Sequence, residues 1–247
     1  LPGFNLDELP LAHPISLGAA EGDYAQAARW IQEAEKVVVK VGGGGRHAGS
    51  ELTTLLERAG GVLVHTPLAT GCVPYAHPHN MAVGGSKGSL CGNYAMQEAD
   101  LLVALGTRAV CQSDSSRTGY PRVKRVINLN ADVDDATHYN HTLPLVGEVR
   151  RTLQVLNQAL GPPLVDKQPW LAACAEKKAA WQAFKAERWA NPVLPDDYWG
   201  SPVLTQPAAI KIAADWAKAR GAVSFFDAGD VQANGFQIVE DERPDQT

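Results

Sequence analysis

The residues of this 247-residue chain that could do chemistry are glycines, cations and a few polar groups, all at the ends of apolar runs. Gly42-Gly43-Gly44-Gly45 follows Val37-Val38-Val39-Lys40-Val41 and precedes a helical pattern. Glycine lets a backbone turn tightly and approach a ligand, and helix N-terminal amides favour anions. No Gly-Lys-Ser/Thr closes the run, and Arg46 and His47 interrupt a GxGxxG spacing. Taken alone, the run serves a nucleotide site or a tight strand-to-helix turn equally well. Gly84-Gly85-Ser86-Lys87-Gly88 is a second glycine-rich stretch, in which Lys87 joins a site or stays solvated. Arg108, after Gly106-Thr107, can bind a phosphate or flavin edge, or form a surface salt bridge. Asn130 and Asp132 end another apolar run, where Asp132 can accept hydrogen bonds from a ribose or cap a helix.

No catalytic dyad stands out: there is no Gly-x-Ser-x-Gly, no HExxH and no Cys with an obvious His partner. Ser113, Ser115 and Ser116 around Asp114 read as loop. Cys72, Cys91, Cys111 and Cys174 form no CxxC pair and match no zinc spacing, so reduced, mostly buried thiols are expected. His77 and His79 sit among prolines in a loop, a poor metal site. Trp170, Trp181, Trp189 and Trp216 read as packing residues.

Short apolar runs must position these groups. Strands are predicted at Val37–Val41, Val62–Val64, Leu101–Leu105 and Val126–Leu129, separated by helices over Tyr24–Ala34, Ser50–Ala59, Asn93–Glu98 and Val149–Leu160. Thr66 to Gly92 reads as a long loop. The strands lack the period of two of a half-exposed sheet, so they are parallel and buried on both faces. The fold class is therefore α/β, a doubly wound parallel sheet, and ligands in such sheets sit beyond the carboxyl ends of the strands. After a proline-containing linker at Gly161–Pro169, helices are predicted over Trp170–Trp189 and Leu204–Ala219. Asn191–Pro202 reads as irregular, and Ala222–Phe226 as a strand opening a second α/β unit.

Composition narrows the classes further. Net charge is -5 and the sequence pI about 5.8, against a binder of nucleic-acid phosphates. No apolar run nears the ~20 residues that span a bilayer, so no membrane partner is expected.

Further along, longer motifs accumulate. Cys91-Gly92-Asn93-Tyr94-Ala95-Met96-Gln97-Glu98-Ala99-Asp100-Leu101-Leu102-Val103-Ala104-Leu105-Gly106-Thr107-Arg108 resembles the central segment of acetolactate synthases, which reads A-N-Y-A and then A-D-L-L-L-A-L-G-x-R. Val126 to Asp132 resembles the next strand of that family, and Val38 to Gly45 its opening strand and glycine run. Leu143-Pro144-Leu145-Val146-Gly147-Glu148 is similar to its closing segment, best matched by cyclic-diketone hydrolases such as trihydroxycyclohexanedione hydrolase. The resemblance is to thiamine-diphosphate enzymes of acetolactate synthase type.

That resemblance implies a three-domain enzyme. Residues 1–20 would be a linker leaving the first domain, and 21–160 the central domain, a Rossmann-like fold of the DHS-like NAD/FAD-binding kind. Residues 161–202 would be a linker with a helix, and 203–247 the start of the diphosphate-binding domain. It implies thiamine diphosphate and Mg2+ in the intact enzyme, a 2-keto acid or related dicarbonyl substrate, C–C bond lyase or transferase chemistry, a homodimer or homotetramer, and a cytoplasmic setting. No catalytic or metal residue would lie in this span. The central domain of the family holds FAD, ADP or nothing. The residues carried to a cofactor are Gly43, Gly44, Gly45, Arg46, Gly85, Lys87, Arg108, Asn130, Asp132, Gly229 and Asp230. Gly85-Ser86-Lys87-Gly88 stands where flavin-binding members read Gly-Met-His-Gly, and Gly229-Asp230-Val231 where the family often reads Gly-Gln-His. Because the chain opens on Leu1 and ends soon after the expected last strand, it is expected to be an inactive piece of a longer polypeptide. The rival reading is a non-catalytic adenine-nucleotide or flavin-binding module built on the same sheet.

Overall fold

The computed structural model describes Gly18, residues 21–115 and residues 118–247. The expected linker of residues 1–20, apart from Gly18, and Ser116 lie outside the described residues. Six parallel strands form one sheet: β1 (Val37–Val41), β2 (Val62–His65), β3 (Asn80–Val83), β4 (Leu101–Leu105), β5 (Arg125–Asn130) and β6 (Thr142–Val146), in the order β3-β2-β1-β4-β5-β6. The apolar runs lack polar alternation because helices cover both faces. Val37, Val39 and Val41 of β1 meet Ile31 of α1 (Glu21–Glu33), Leu52, Leu55 and Leu56 of α2 (Gly49–Ala59), and Leu153 and Leu156 of a helix at Val149–Ala159. On the opposite face Val38, Val62, Leu102 and Val126 meet Ala95 and Met96 of α3 (Leu90–Glu98), and Trp170, Cys174 and Trp181 of a long helix at Gln168–Ala190. Trp170 also donates its indole N–H to the Val37 carbonyl, 3.2 Å away, pinning that helix to the sheet. A one-turn helix α4 (Val133–Ala136) precedes β6; the two longer helices are α5 and α6.

The doubly wound parallel sheet is as the apolar pattern predicts, and four strands fall where that pattern places them. Two strands carry no such pattern. β3 sits inside the expected long loop, starting at an asparagine whose side-chain amide bonds the Val73 and Pro74 carbonyls. It is short and lies at the sheet edge, so little apolar sequence marks it. β6 forms the other edge, where Pro144 is tolerated because an edge strand need not donate on its outer side. Asn191–Pro202, expected to be irregular, carries most of an antiparallel hairpin of β7 (Val193–Asp196) and β8 (Ser201–Leu204), whose second strand ends on the first residue of the expected helix. Ala222–Phe226 is not a strand. Its apolar residues have no neighbouring strand to complete a ladder: Ser224 N–H bonds the Gln246 carbonyl, and Phe225 is 90% exposed. Two helices, α7 (Gln206–Lys218) and α8 (Asp230–Ile238), flank that stretch. Among the described residues, no helix is long and apolar enough to cross a membrane.

Candidate functional site

The strand order reverses between β1 and β4, and crevices form where neighbouring connections leave a parallel sheet in opposite directions. Here the two connections grip one another. Gly42 N–H donates to the Leu105 carbonyl at 2.9 Å, and Gly44 N–H to the Gly106 carbonyl at 3.1 Å. Gly106 has φ of 52°, and a Cβ on it would lie 2.6 Å from Gly44 Cα. Only glycine combines that left-handed backbone with so close an approach. Gly45 and Arg46 donate to the Gly42 and Gly43 carbonyls. The amides of Gly42, Gly44, Gly45 and Arg46 are thus committed within the turn.

Beyond this junction lies a cleft of about 700 Å³. Gly43 and Gly44 form its floor, Leu68, Val110, Val149 and Phe236 give apolar walls, and Arg108 and Lys87 supply positive charge. Asn130, Gly229 and Asp230 also line it, together with the carboxylates of Asp135 and Glu148. Seven of the residues expected from sequence therefore share one cavity: Gly43, Gly44, Lys87, Arg108, Asn130, Gly229 and Asp230.

The other four stand apart from it. Gly45 is buried, and a Cβ there would press on Val41. Arg46 turns to the chain end, donating to the Thr247 carbonyl at 3.0 Å and pairing with Asp245. Gly85 has φ of 113° and packs against the Gln112 carbonyl, where a Cβ would stand 2.2 Å away. Asp132 caps α4, its Oδ1 accepting from the N–H groups of Asp134 and Asp135.

The polar groups of the cleft differ in how free they are. Arg108 has a side chain 66% exposed, with Asp135 at 4.0 Å as a weak partner. Exposed Lys87 carries no ion pair among the described residues. Asn130 is committed: its amide donates to the Thr107 carbonyl at 3.0 Å and its Oδ1 accepts from Asp132 N–H. Both Glu148 oxygens accept from the first turn of α5, at Arg150 and Arg151 N–H, where the helix dipole offsets part of their charge. The cleft thus sets apolar walls beside two cations and the three carboxylates of Asp135, Glu148 and Asp230. Among the described residues no group of three or more His, Cys, Asp or Glu is placed to hold a metal ion.

Behind the Arg108 wall lies a network that sequence reasoning missed. Lys40 is buried near the carboxyl end of β1, its ammonium bonded to Asp114 Oδ2 at 2.5 Å, the Arg108 carbonyl at 2.9 Å and Tyr139 Oη at 3.0 Å. Burial pushes the Lys40 ammonium below the usual lysine range, while Asp114 opposes that shift. Asp114, fully buried, also accepts from Tyr139 Oη, Ser113 Oγ and Val110 N–H. The signal was present: one lysine interrupts five strand residues otherwise all valine.

A model of the central domain of thiamine pyrophosphate enzymes matches residues 24–156. The chain belongs to that family. The matched span holds the whole six-stranded sheet and most of the cleft; Gly229, Asp230 and Phe236 lie outside it. Similar proteins include trihydroxycyclohexanedione hydrolases and acetolactate synthases. A 3D-(3,5/4)-trihydroxycyclohexane-1,2-dione hydrolase of Lacticaseibacillus casei is 30% identical over 166 residues, 66% of this chain and 25% of the relative. A probable acetolactate synthase large subunit of Methanocaldococcus jannaschii is 28% identical over 182 residues, 72% of this chain and 29% of the relative. An acetolactate synthase of Mycobacterium leprae is 32% identical over 130 residues, 51% of this chain and 21% of the relative. The chain thus spans between a fifth and a third of the relatives it matches. Cys91 to Arg108, inside the matched span, make up nearly all of α3, the whole of β4 and part of one wall of the cleft.

Proposed function

We propose that the chain supplies the central domain, and the beginning of the diphosphate-binding domain, of a thiamine-diphosphate enzyme of acetolactate synthase type. Residues 21–160 are the central domain, 161–202 a linker carrying α6, and 203–247 the opening of the next domain. The substrate is a 2-keto acid or a related dicarbonyl, and the reaction breaks or forms a C–C bond. Thiamine diphosphate with Mg2+ supplies the carbanion-stabilising chemistry in the intact enzyme. No residue of this chain acts on the reacting carbons, and the active enzyme is a cytoplasmic homodimer or homotetramer.

The cleft takes an adenine nucleotide, FAD or ADP. The observation that carries this reading is the gathering of Arg108, Lys87 and the Gly43-Gly44 floor beside apolar walls at the point where the strand order reverses. Arg108 and Lys87 would meet the phosphates, and Leu68, Val110 and Phe236 the flat part of the ligand.

The test begins with the absorbance spectrum of the intact protein, which is yellow if oxidised flavin is retained. Titrations with ADP and FAD follow, then calorimetry with thiamine diphosphate and assays with pyruvate and cyclic diketones. Binding of either nucleotide that weakens in Arg108→Ala supports the cleft assignment, and affinity untouched by that change removes Arg108 from the site. Turnover by the intact protein and none by residues 1–247 alone supports the domain assignment. Thiamine-diphosphate binding by residues 1–247 alone would overturn it.

A further inference from the structure

The two cations of the cleft come from different loops, yet both loops hang on one buried ammonium. Lys40 holds the segment 108–114 at its two ends, through the Arg108 carbonyl and the Asp114 carboxylate. Between these anchors stand Val110, Gln112 and Ser113, which line the cleft. Asp114 closes the segment on itself: its carboxylate accepts from Val110 N–H and its own N–H donates to the Val110 carbonyl, each at 3.0 Å. Tyr139 ties the pair to the loop before β6, bonding Lys40 at 3.0 Å and Asp114 at 3.1 Å.

The second loop follows from the first. The Gln112 carbonyl accepts from Ser86 N–H at 2.8 Å. Gly85, in its left-handed conformation, lies flat against the same carbonyl. Lys87 is the next residue after Ser86, so its stem leaves a backbone docked on Gln112. A buried ammonium and carboxylate with their remaining hydrogen-bonding capacity filled form a stiff unit, because any displacement leaves a charge unpaired away from water.

We propose that Lys40 is the positioning residue of the cleft: through Asp114 and Gln112 it fixes the backbone from which both Arg108 and Lys87 reach the ligand. The proposal rests on the cleft being a ligand site, and its test separates the two ideas.

The test uses the purified full-length protein, ADP as probe, and hydrogen–deuterium exchange. In Lys40→Met the segment 107–115 should exchange about 10-fold faster or more, since local opening no longer breaks a buried ion pair. Exchange in β2 and β5 should stay within about twofold of wild type, which a general loss of stability would not allow. ADP should bind about 10-fold more weakly or worse, because charge-assisted contacts need fixed geometry. In an Arg108→Ala/Lys87→Ala background the same Lys40→Met change should cost no further affinity, as expected of a residue acting through those two. If Lys40→Met does not fold, Tyr139→Phe, which removes one partner from both Lys40 and Asp114, is held to the same outcomes. Unchanged exchange of 107–115, equal acceleration throughout the sheet, or the same affinity loss in both backgrounds overturns the proposal. Should wild type bind neither ADP nor FAD, the cleft assignment falls and exchange alone decides: local acceleration upholds the anchoring, and none overturns it; should it bind FAD only, FAD replaces ADP as the probe with the same expected outcomes.

Discussion

Replacing Gly106 by alanine tests the junction on which the cleft is built. Two costs add at this position. The backbone has φ of 52°, and holding a residue with a Cβ in the left-handed region costs roughly 1–2 kcal/mol. The new methyl would also lie 2.6 Å from Gly44 Cα and carbonyl carbon and 2.7 Å from Gly45 N. Those atoms are backbone and cannot rotate away, so overpacking adds about 1–3 kcal/mol. The sum is roughly 2–5 kcal/mol, which at about 2–4 °C per kcal/mol for a chain of this size lowers Tm by about 4–20 °C. Gly200→Ala separates the two terms. Gly200 has φ of 61°, and a methyl placed there would meet nothing within 4 Å, so only the left-handed cost applies, roughly 1–2 kcal/mol. Calorimetry and urea titration of the two variants side by side give the comparison. Equal losses would mean that the β1 and β4 turns do not interlock as described.

Three further outcomes follow from individual groups. Arg108→Ala should weaken ADP or FAD binding by ~1–3 kcal/mol, as loss of a charge-assisted hydrogen bond does, while Tm stays put because the side chain is largely exposed with one weak partner; a Tm loss without an affinity loss contradicts this. Thiol titration without reductant should count one reactive cysteine in the native protein, exposed Cys111, and four after denaturation, since burial pushes the Cys72 and Cys174 thiols up to about 12. Burial pushes the buried His65 imidazole down to about 4. The unfolded chain then binds a proton that the folded one refuses, so stability present above ~6.5 is lost as pH falls toward 4, to the extent of about 3 kcal/mol. The stability difference between wild type and His65→Gln, followed by urea titration from pH 7 to 4, should shrink by that amount, and a constant difference would place His65 in water.

The sheet was legible because burial on both faces writes itself as unbroken Val and Leu runs, as at Val37–Val41 and Leu101–Leu105. Edge strands lack that signature. Asn80–Val83 starts on an asparagine and ends at a glycine pair, and Thr142–Val146 contains a proline. The stretch Ala222–Phe226 shows the converse error: β-branched and aromatic residues favour a strand only where a neighbour supplies the ladder. That Arg108 and the glycine floor share one cleft was legible because both stand at the carboxyl ends of strands beside the switch in strand order, a matter of topology. Asp132 could not be settled so, since an Asp after a strand caps a helix or meets a ribose with the same spacing, and here its Oδ1 caps α4. Phe236 and Asp135 join the cleft through tertiary placement alone, with no local pattern to announce them.

The lysine near the carboxyl end of β1 also bears on the order in which the chain assembles. Its partners are 74 and 99 residues further along, at Asp114 and Tyr139. The amino end of the strand can zip against β2 and β4 as soon as those segments meet, since only valines are being dried. The carboxyl end brings a bare ammonium out of water, and desolvation opposes its docking until both distant partners arrive. Loop closure over such separations is slow relative to pairing of neighbours. The half of the sheet that bears the cleft should therefore be the last to close, and once closed it is held by the paired charges that delayed it.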